Sequence, residues 1–320
     1  MGNIKLLAKW IKLLKEGKDR GLAKLISLIE DYDMGEEISK QIFSMLGNSY
    51  FIGITGSPGV GKSTLTDKLV RLLRSKGKTV GIIAIDPTSP FSGGAILGDR
   101  IRLQKLATDS GVFIRSMASR GHLGGISAAT IDAMKVMDAF GFDYVIIETV
   151  GVGQSEIEIV KHVDSTLLIL IPGMGDDIQA MKAGVMEIGD IFVVNKADKD
   201  GVDRIITELE TMQQMSPTAA KRIPIQKVIA RDNKNIDELY ERIIEHRIQM
   251  EESGEFAVNR KKRFEFELKH IVHSKLLTHT NNYLEDKIDI KQITEEIYQK
   301  KTDPYSVINR VITDIINIRN

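Results

Sequence analysis

Cysteine is absent from the 320-residue sequence, and the six histidines do not cluster at the spacings of metal ligands. The lack of cysteine excludes disulfides, thiolate catalysis and cysteine-ligated zinc or iron–sulfur centres, and it is consistent with a reducing compartment. The nearest histidine pair is His270 and His273, which we expect on the surface of a helix. The sequence therefore does not favour a metal site built from sulfur or imidazole ligands.

Neither sign of charge is in excess, since 44 basic residues balance 44 acidic ones. No overall field therefore favours nucleic acid or an anionic membrane as a partner. No run of transmembrane length is free of charge, and lysines interrupt the apolar residues of segment 1–17. We expect that segment to form an amphipathic helix packed on the body of the protein. A membrane-surface helix and an organelle-targeting segment are the alternatives, and we expect a soluble, cytoplasmic protein.

One glycine-rich stretch has a specific chemical meaning. Residues 56–63 match G-x-x-x-x-G-K-[ST], between an apolar strand-like segment, 50–55, and an amphipathic helical one. The glycines let successive amides point at phosphate oxygens, and the helix N-terminus adds its positive dipole end. Lys62 offers a charge to the β- and γ-phosphates, and Ser63 offers Mg²⁺ a hydroxyl ligand. The predicted phosphate-binding residues are Gly56, Pro58, Gly59, Val60, Gly61, Lys62, Ser63 and Thr64, and Lys62 is also a candidate catalytic residue.

From residue 50 onward, apolar runs of strand length alternate with amphipathic stretches of helical length. The runs occupy 80–85, 112–115, 144–147, 165–171, 191–194 and 225–230. Such alternation predicts an α/β fold, with a mostly parallel, doubly wound sheet flanked by helices. Together with the glycine-rich loop, it predicts a P-loop NTPase whose ligands gather at the carboxyl ends of the strands.

Residues 195–198 read Asn-Lys-Ala-Asp directly after a predicted strand, and they match the N-K-x-D element with which GTPases read the base. Asp198 can accept hydrogen bonds from N1–H and the exocyclic amino group of guanine, whereas adenine offers neither donor. Asn195 is expected to steady the loop, and Lys196 to lie along the base plane. Because an unpaired carboxylate is costly, the element predicts GTP rather than ATP as the nucleotide.

Further along, the stretch 228–231 departs from the usual GTPase pattern. Where GTPases usually place a Ser-Ala pair beside guanine, only Ala230 is present, with Ile229 before it. The backbone amide of Ala230 can still contact the base. We therefore include Ala230 among the predicted nucleotide-binding residues.

Three acidic residues are candidates for a Mg²⁺ shell together with Ser63. Glu148 ends the predicted strand 144–147, where a typical GTPase carries Asp-x-x-Gly, and Gly151 in the same run can reach the γ-phosphate. Asp86 ends the strand 80–85, and Asp99 lies in the connection that follows. A helix cap or Asx turn is the alternative role for Asp86, and an N-cap for Asp99. Glu148 is also a candidate catalytic residue.

Loops 86–94, 151–155 and 173–177 combine glycine or proline with polar residues, so they could respond to the γ-phosphate or be ordinary surface loops. Small GTPases place a water-orienting glutamine directly after the switch glycine, and here that position is Val152. Gln154, two residues further on, is the candidate catalytic glutamine. This spacing predicts slow intrinsic hydrolysis that a partner accelerates.

Both ends of the chain have helical patterns. We predict an N-terminal helical extension over 1–48, a GTPase domain over 49–250 and a C-terminal helical region over 251–320. Within the last region, helices are expected at 256–277, 288–299 and 305–318, the last one after a break at Asp303-Pro304. Their apolar stripes must be covered by the body of the protein or by a second copy of the chain.

Several long motifs in one order resemble the MeaB/ArgK-type GTPases, a branch of the metallochaperone-like P-loop GTPases. The likeness rests on runs 86–90, 148–156 and 190–198 and on the helical run 23–30, and it spans roughly residues 20 to 320. The resemblance implies a homodimer held partly by the C-terminal helices. It also implies a chaperone that uses GTP to gate cofactor delivery to an adenosylcobalamin-dependent acyl-CoA mutase, such as methylmalonyl-CoA mutase, and to protect that enzyme.

The same resemblance assigns roles to individual residues. Lys62 and Ser63 become the phosphate and Mg²⁺ groups, and Asp86, Asp99 and Glu148 the carboxylates of the metal shell. Segment 173–189, with Asp176, Gln179 and Lys182, corresponds to a third switch that reports the nucleotide state to the mutase.

Three other functions compete with this interpretation. A GTPase that assists metal insertion into a nickel enzyme would belong to a neighbouring branch, but such proteins typically carry Cys/His signatures. An amino-acid-transport-linked kinase would need ATP, against the N-K-x-D element, and no protein-kinase signature is present. A scaffold with a structural nucleotide is the third. The basic run 260–263 could bind a phosphate-rich partner, although a solvated helix face or a dimer rim is the simpler interpretation.

Overall fold

The computed structural model describes residues 2–32, 34–47, 49–86, 106–118, 127–149, 159–173, 189–215 and 222–317. The chain divides into two compact units, Met1–Asn259 and Arg260–Asn320. The three-part division predicted from the sequence, with boundaries after residues 48 and 250, stays a prediction. Across the described ranges, no helix combines the length and the apolar character needed to cross a membrane.

A parallel sheet of seven strands lies in the first unit. The strands are β1 Tyr50–Thr55, β2 Val80–Asp86, β3 Val112–Ala118, β4 Tyr144–Glu148, β5 Ser165–Leu170, β6 Ile191–Val194 and β7 Ile225–Lys227. Their order is β3-β2-β4-β1-β5-β6-β7, and each pair of neighbours is parallel. The predicted fold class is confirmed. The last strand is shorter than the predicted 225–230 because a 3₁₀ turn, Ala230–Asp232, begins where the strand was expected to continue.

Ten α-helices lie in the described part of the chain. They are α1 Gly2–Lys15, α2 Asp19–Tyr32, α3 Gly35–Ile42, α4 Lys62–Ser75, α5 Ala128–Phe140, α6 Val202–Met215, α7 Ile236–Glu252, α8 Glu255–Lys287, α9 Ile290–Tyr298 and α10 Pro304–Asn317. The predicted helical extension at the N-terminus is thus present as α1, α2 and α3.

Both faces of the sheet are covered, which explains why its strands read as continuous apolar runs. Successive side chains of a strand point to opposite faces. On β1, Ile52 and Ile54 therefore pack with apolar residues of α4 and α7, whereas Phe51 packs in the cluster that contains α1, α2, α3 and α5. Helix α6 covers the far end of the sheet on the second of these faces, against β5 and β6.

A buried chain of hydrogen bonds holds the amino end of the sheet to α7. The Tyr50 hydroxyl lies 2.7 Å from Ser165 Oγ, which lies 2.6 Å from His246 Nδ1. Burial raises the pKa of Tyr50, so its phenol stays protonated and able to donate well into the alkaline range. These contacts fix the starts of β1 and β5, the two strands that lead into the glycine-rich loop and into residues 171–173.

The second unit contains most of α8 together with α9 and α10. Asp303 explains where α10 begins, since its Oδ1 accepts the backbone amides of Tyr305 at 2.9 Å and Ser306 at 3.0 Å. Pro304 occupies the first helical turn, where its missing N–H costs no hydrogen bond. Large apolar side chains stay exposed along α8, including Leu268 and Leu277, both at 64%.

Asp138 on α5 joins the N-terminal helices to the start of β1. Its two carboxylate oxygens accept the backbone amides of Gly47 at 2.6 Å and Ser49 at 2.8 Å. Asp138→Asn replaces one of these acceptors with an amide N–H donor that faces a backbone donor, so we expect the free energy of unfolding to fall by about 1–3 kcal/mol in a denaturant titration. Asp31→Asn, on the exposed end of α2, should change it by less than about 0.5 kcal/mol. Equal effects of the two substitutions would contradict the role of Asp138.

Candidate functional site: a nucleotide site at the carboxyl edge of the sheet

The glycine-rich loop follows β1 at the point where the strand order reverses. From β1 the chain passes to one side through β2, β3 and β4, and then to the other through β5, β6 and β7. The connections after β1 therefore diverge and leave a crevice at the carboxyl ends of the strands, where ligands bind in open α/β sheets. The geometry places the loop, Glu148 at the end of β4 and Asn195 after β6 along one edge.

Gly56 and Gly61 hold conformations that residues with a side chain rarely adopt, with φ of +142° and +99°. Neighbouring atoms also leave no room for a side chain at either glycine. A Cβ on Gly56 would lie 2.4 Å from the carbonyl oxygen of Ile169, and a Cβ on Gly61 would lie 2.5 Å from Asn195 Nδ2. Both glycines are thus required by close approaches across the edge as well as by the turn.

Helix α4 begins directly after Gly61, so its N-terminus faces the loop. Lys62 is buried and its ammonium donates to the carbonyls of Gly56 at 2.6 Å and Ser57 at 3.1 Å. The charge is held inside the curve of the loop rather than in bulk water. An anion that enters the loop therefore meets a cation and a helix N-terminus already in place.

Glu148 at the end of β4 accepts hydrogen bonds from two hydroxyl groups of α4. Ser63 Oγ donates to Glu148 Oε1 at 2.6 Å, and Thr66 Oγ1 donates to Oε2 at 2.8 Å. Both hydroxyl residues and Glu148 are buried. Because the proton of Ser63 is directed at the carboxylate, the lone pairs of its oxygen are directed away from Glu148.

Asn195 links three segments that are far apart in sequence. Its Nδ2 donates to the carbonyl of Val60 at 2.8 Å, and its Oδ1 accepts the amide of Ala230 at 3.1 Å. Lys196 adds a second contact, from its ammonium to the carbonyl of Gly59 at 2.8 Å. The base-reading element is therefore fastened to the phosphate loop on one side and to the turn after β7 on the other.

The amide of Ala230 is already used within the protein. The sequence predicts that this amide contacts the base, but its hydrogen bond goes to Asn195. Asp198 lies on the open side of the same element, and the guanidinium of Arg231 approaches its carboxylate to 3.4 Å. The side chain of Arg231 is 74% exposed and that of Asp198 is 36% exposed. The structure thus gives Ala230 a supporting place and leaves Asp198 accessible to a ligand.

Several predicted site residues fall outside the described part of the chain. They are Asp99, Gly151 and Gln154, most of the third-switch segment 173–189, and the side chain of Asp86. Among the residues that are described, Gly56, Pro58, Gly59, Val60, Gly61, Lys62, Ser63 and Thr64 form the loop and the first turn of α4. Glu148 lies within hydrogen-bond distance of that turn, and Asn195 and Lys196 within hydrogen-bond distance of the loop.

Two features of the site were not predicted from the sequence. One is Thr66, which follows Ser63 by three residues and therefore shares its helix face; this spacing is the signal that could have identified it. The other is the hydrogen bond between Asn195 and Val60, for which the sequence carries no local signal because the partners are 135 residues apart.

The chain is similar to known GTPases over most of its length. The profile of the family described as "Methylmalonyl Co-A mutase-associated GTPase MeaB" matches residues 22–285. A protein of Pyrococcus abyssi named as a GTPase is 46% identical over 316 residues, 97% of each chain. GTPase ArgK of Escherichia coli is 36% identical over 264 residues, 79% of this chain and 80% of ArgK. The crystal structure of a LAO/AO transport system kinase matches with a TM-score of 0.73 at 26% identity, over 97% of each chain. These similarities confirm the family resemblance that the motifs predicted.

Gly61 offers a direct test of how the loop and Asn195 depend on each other. Gly61→Ala brings a methyl group against Asn195 Nδ2 in addition to the strain of a positive φ, so we expect GDP affinity to fall at least about tenfold. Gly77→Ala has a similar φ of +76° but no atom within 4 Å of the added Cβ. That control should lower the melting temperature and leave GDP affinity unchanged by calorimetry. Equal GDP affinity of the two variants would contradict the predicted clash.

Proposed function

The chain belongs to the MeaB family of GTPases, and on this premise we propose that it is a Mg²⁺-dependent GTPase that serves an adenosylcobalamin-dependent acyl-CoA mutase. GTP binding and hydrolysis would gate delivery of the cofactor to the mutase and protect that enzyme. Methylmalonyl-CoA mutase is the first candidate for this partner. The observation that carries the proposal is the match of the mutase-associated family over residues 22–285. The site adds independent support for the nucleotide chemistry.

The phosphate loop is suited to a triphosphate. The contacts of the Lys62 ammonium with two loop carbonyls are ones that phosphate oxygens can replace, because an ammonium prefers an anionic acceptor to a neutral one. Gly56, Pro58, Gly59, Val60, Gly61, Lys62, Ser63 and Thr64 would surround the phosphates. Gly151 would reach the γ-phosphate.

Guanine would be read by Asp198, with Asn195 holding the element in place and Lys196 alongside the base. The carboxylate of Asp198 is accessible, and the exposed guanidinium of Arg231 near it is held more closely by Asp232, at 2.8 and 3.0 Å, than by Asp198. The carboxylate accepts from two donors of guanine, its N1–H and its exocyclic amino group. Adenine lacks both donors and would leave the carboxylate unpaired, so the site discriminates strongly against it. Ala230 would contribute by fixing Asn195.

Mg²⁺ fits the oxygen donors next to the loop. A hydroxyl and a carboxylate are the hard ligands that this ion prefers, and Ser63 Oγ has its lone pairs directed away from Glu148. When bound, the ion neutralises charge on the β- and γ-phosphate oxygens. Asp86 and Asp99 are proposed to complete the shell around Ser63 and Glu148.

Hydrolysis by the isolated protein is proposed to be slow and to be accelerated by a partner. Val152 stands directly after the switch glycine, and Gln154 is the proposed water-orienting residue, with Lys62 and Glu148 as the other catalytic groups.

We further propose a cytoplasmic homodimer. The exposed apolar side chains of α8, such as Leu268 and Leu277, support burial against a second copy.

The alternatives are less favoured. The family description names a mutase-associated GTPase, and neither a cysteine nor a histidine cluster supports nickel insertion. One structural relative is named a transport system kinase, but the N-K-x-D element argues for GTP. Nucleotide selectivity therefore separates the GTPase from the kinase.

Asp198→Asn tests base recognition. The amide would present a donor to the guanine amino group, so GDP affinity should fall by about 10²–10⁴-fold, since each hydrogen bond to a charged group is worth roughly 1.5–3 kcal/mol. Xanthosine diphosphate carries a carbonyl at that position and should bind the variant better than GDP does. This reversal serves as the internal control for an intact site. A variant that binds GDP as the wild type does would contradict the assignment.

The client is tested by GTP turnover of the purified protein, alone and with an adenosylcobalamin-dependent acyl-CoA mutase from the same source. ATP serves as the nucleotide control. We expect turnover below about one per second alone and a marked rise with the mutase, because switch GTPases depend on partners for fast hydrolysis. If the mutase neither changes GTP turnover nor binds the protein, the GTPase activity stands and the proposal of a mutase as its partner is contradicted.

A further inference from the structure

Thr66 is a buried hydroxyl residue of α4 to which the proposed reaction assigns no role. Its side chain is fully inaccessible to solvent. It lies one position beyond Leu65, which packs in the apolar core, yet its own oxygen faces a carboxylate, Glu148, at 2.8 Å. A buried polar group is costly unless it is hydrogen-bonded, so this pairing stabilises both partners.

The hydrogen bonds of Thr66 differ from those of ordinary helical threonines. Such residues commonly donate to the carbonyl four residues earlier, and exposed threonines of the protein do so at 2.7–2.9 Å; they are Thr207, Thr211, Thr294 and Thr313. Thr66 has the same contact with the carbonyl of Lys62, at 3.0 Å. Its single proton is therefore shared between that carbonyl and Glu148, and the charged acceptor is both nearer and stronger.

Two hydroxyls on one face of α4 thus donate to the two oxygens of one carboxylate. Ser63 holds Oε1 and Thr66 holds Oε2. The last torsion of a glutamate is broad, so a single hydrogen bond leaves the plane of the carboxylate poorly defined. Two donors three residues apart on a rigid helix define that plane. They also fix the direction in which the lone pairs of Ser63 point.

We propose that Thr66 is a positioning residue for the Mg²⁺ site, acting through Glu148. It holds the carboxylate so that Ser63 can offer its oxygen to the ion while donating its proton to Oε1. This inference rests on the proposed Mg²⁺-dependent GTPase function, and it adds the residue that orients the ligands. Partners of metal ligands contribute to metal affinity because a ligand that must first be oriented binds more weakly.

The test measures GDP affinity by calorimetry in excess Mg²⁺ and again in EDTA. Thr66→Val keeps the shape of the side chain and removes the hydroxyl. We expect it to lower the gain in affinity that Mg²⁺ confers by about 10–100-fold, the usual cost of losing a partner of a metal ligand. GDP affinity in EDTA should stay at the wild-type value, which a general structural defect in the loop would not allow.

Two further comparisons isolate the hydroxyl. Thr66→Ser and Thr66→Ala both lose the methyl group and differ only in the oxygen, so the Mg²⁺-dependent gain should return in the first and not in the second, even if both unfold at a lower temperature. Thr211→Val removes a helical hydrogen bond to a carbonyl without a carboxylate partner. It should leave both affinities unchanged.

The outcomes separate this inference from the proposed function. If the wild-type protein binds GDP equally well in Mg²⁺ and in EDTA, the Mg²⁺-dependent function and the role of Thr66 are both overturned. If Mg²⁺ strengthens GDP binding to the wild type and to Thr66→Val equally, the function stands and the role of Thr66 is overturned. An equal loss in Mg²⁺ and in EDTA would show a structural role alone, and that result also contradicts the proposal.

Discussion

The double pairing of β1, with β4 on one side and β5 on the other, is the constraint on which the rest of the site depends. Because these three strands are parallel and in register, the ends of all three lie on one edge. The glycine-rich loop after β1 then lies between Glu148 at the end of β4 and the carbonyl of Ile169 in β5, whose oxygen would be 2.4 Å from a Cβ on Gly56. Sheet pairing thus does the coarse positioning that short side chains could not do alone.

Side chains then fix the site in detail, and they do so largely out of contact with water. Lys62, Ser63, Glu148 and Asn195 are all buried although each is polar. In such surroundings an unpaired polar group is expensive, so each of these residues has its contacts defined by the protein. The result is a site whose charges and hydroxyls hold their places before a ligand arrives, which reduces the reorganisation that binding requires.

Much of the fold could be predicted from the sequence because its signals are local. The strand-length apolar runs predicted all seven strands of the sheet. The glycine-rich loop and the N-K-x-D element were predicted to follow strands, and they follow β1 and β6. Contacts between distant segments could not be predicted in this way. The hydrogen bond of Ala230 to Asn195, and the contact of Thr66 with Glu148, depend on where β7 and β4 lie beside the loop. Strand ends were also inexact, as at β7, which ends at Lys227, and the 3₁₀ turn that begins at Ala230 places the amide of that residue against Asn195.

The contact between the phosphate loop and the base-reading element has a consequence for how this sequence can change over time. Position 61 tolerates no side chain while Asn195 fills the adjoining space, and Asn195 is itself tied to Val60 and Ala230. The contacts with Val60 and Ala230 are made to backbone groups, so the side-chain constraint lies between positions 61 and 195: a side chain at 61 requires that residue 195 no longer fill the space. The geometry of the phosphate loop and that of the base-reading element therefore constrain each other at this contact.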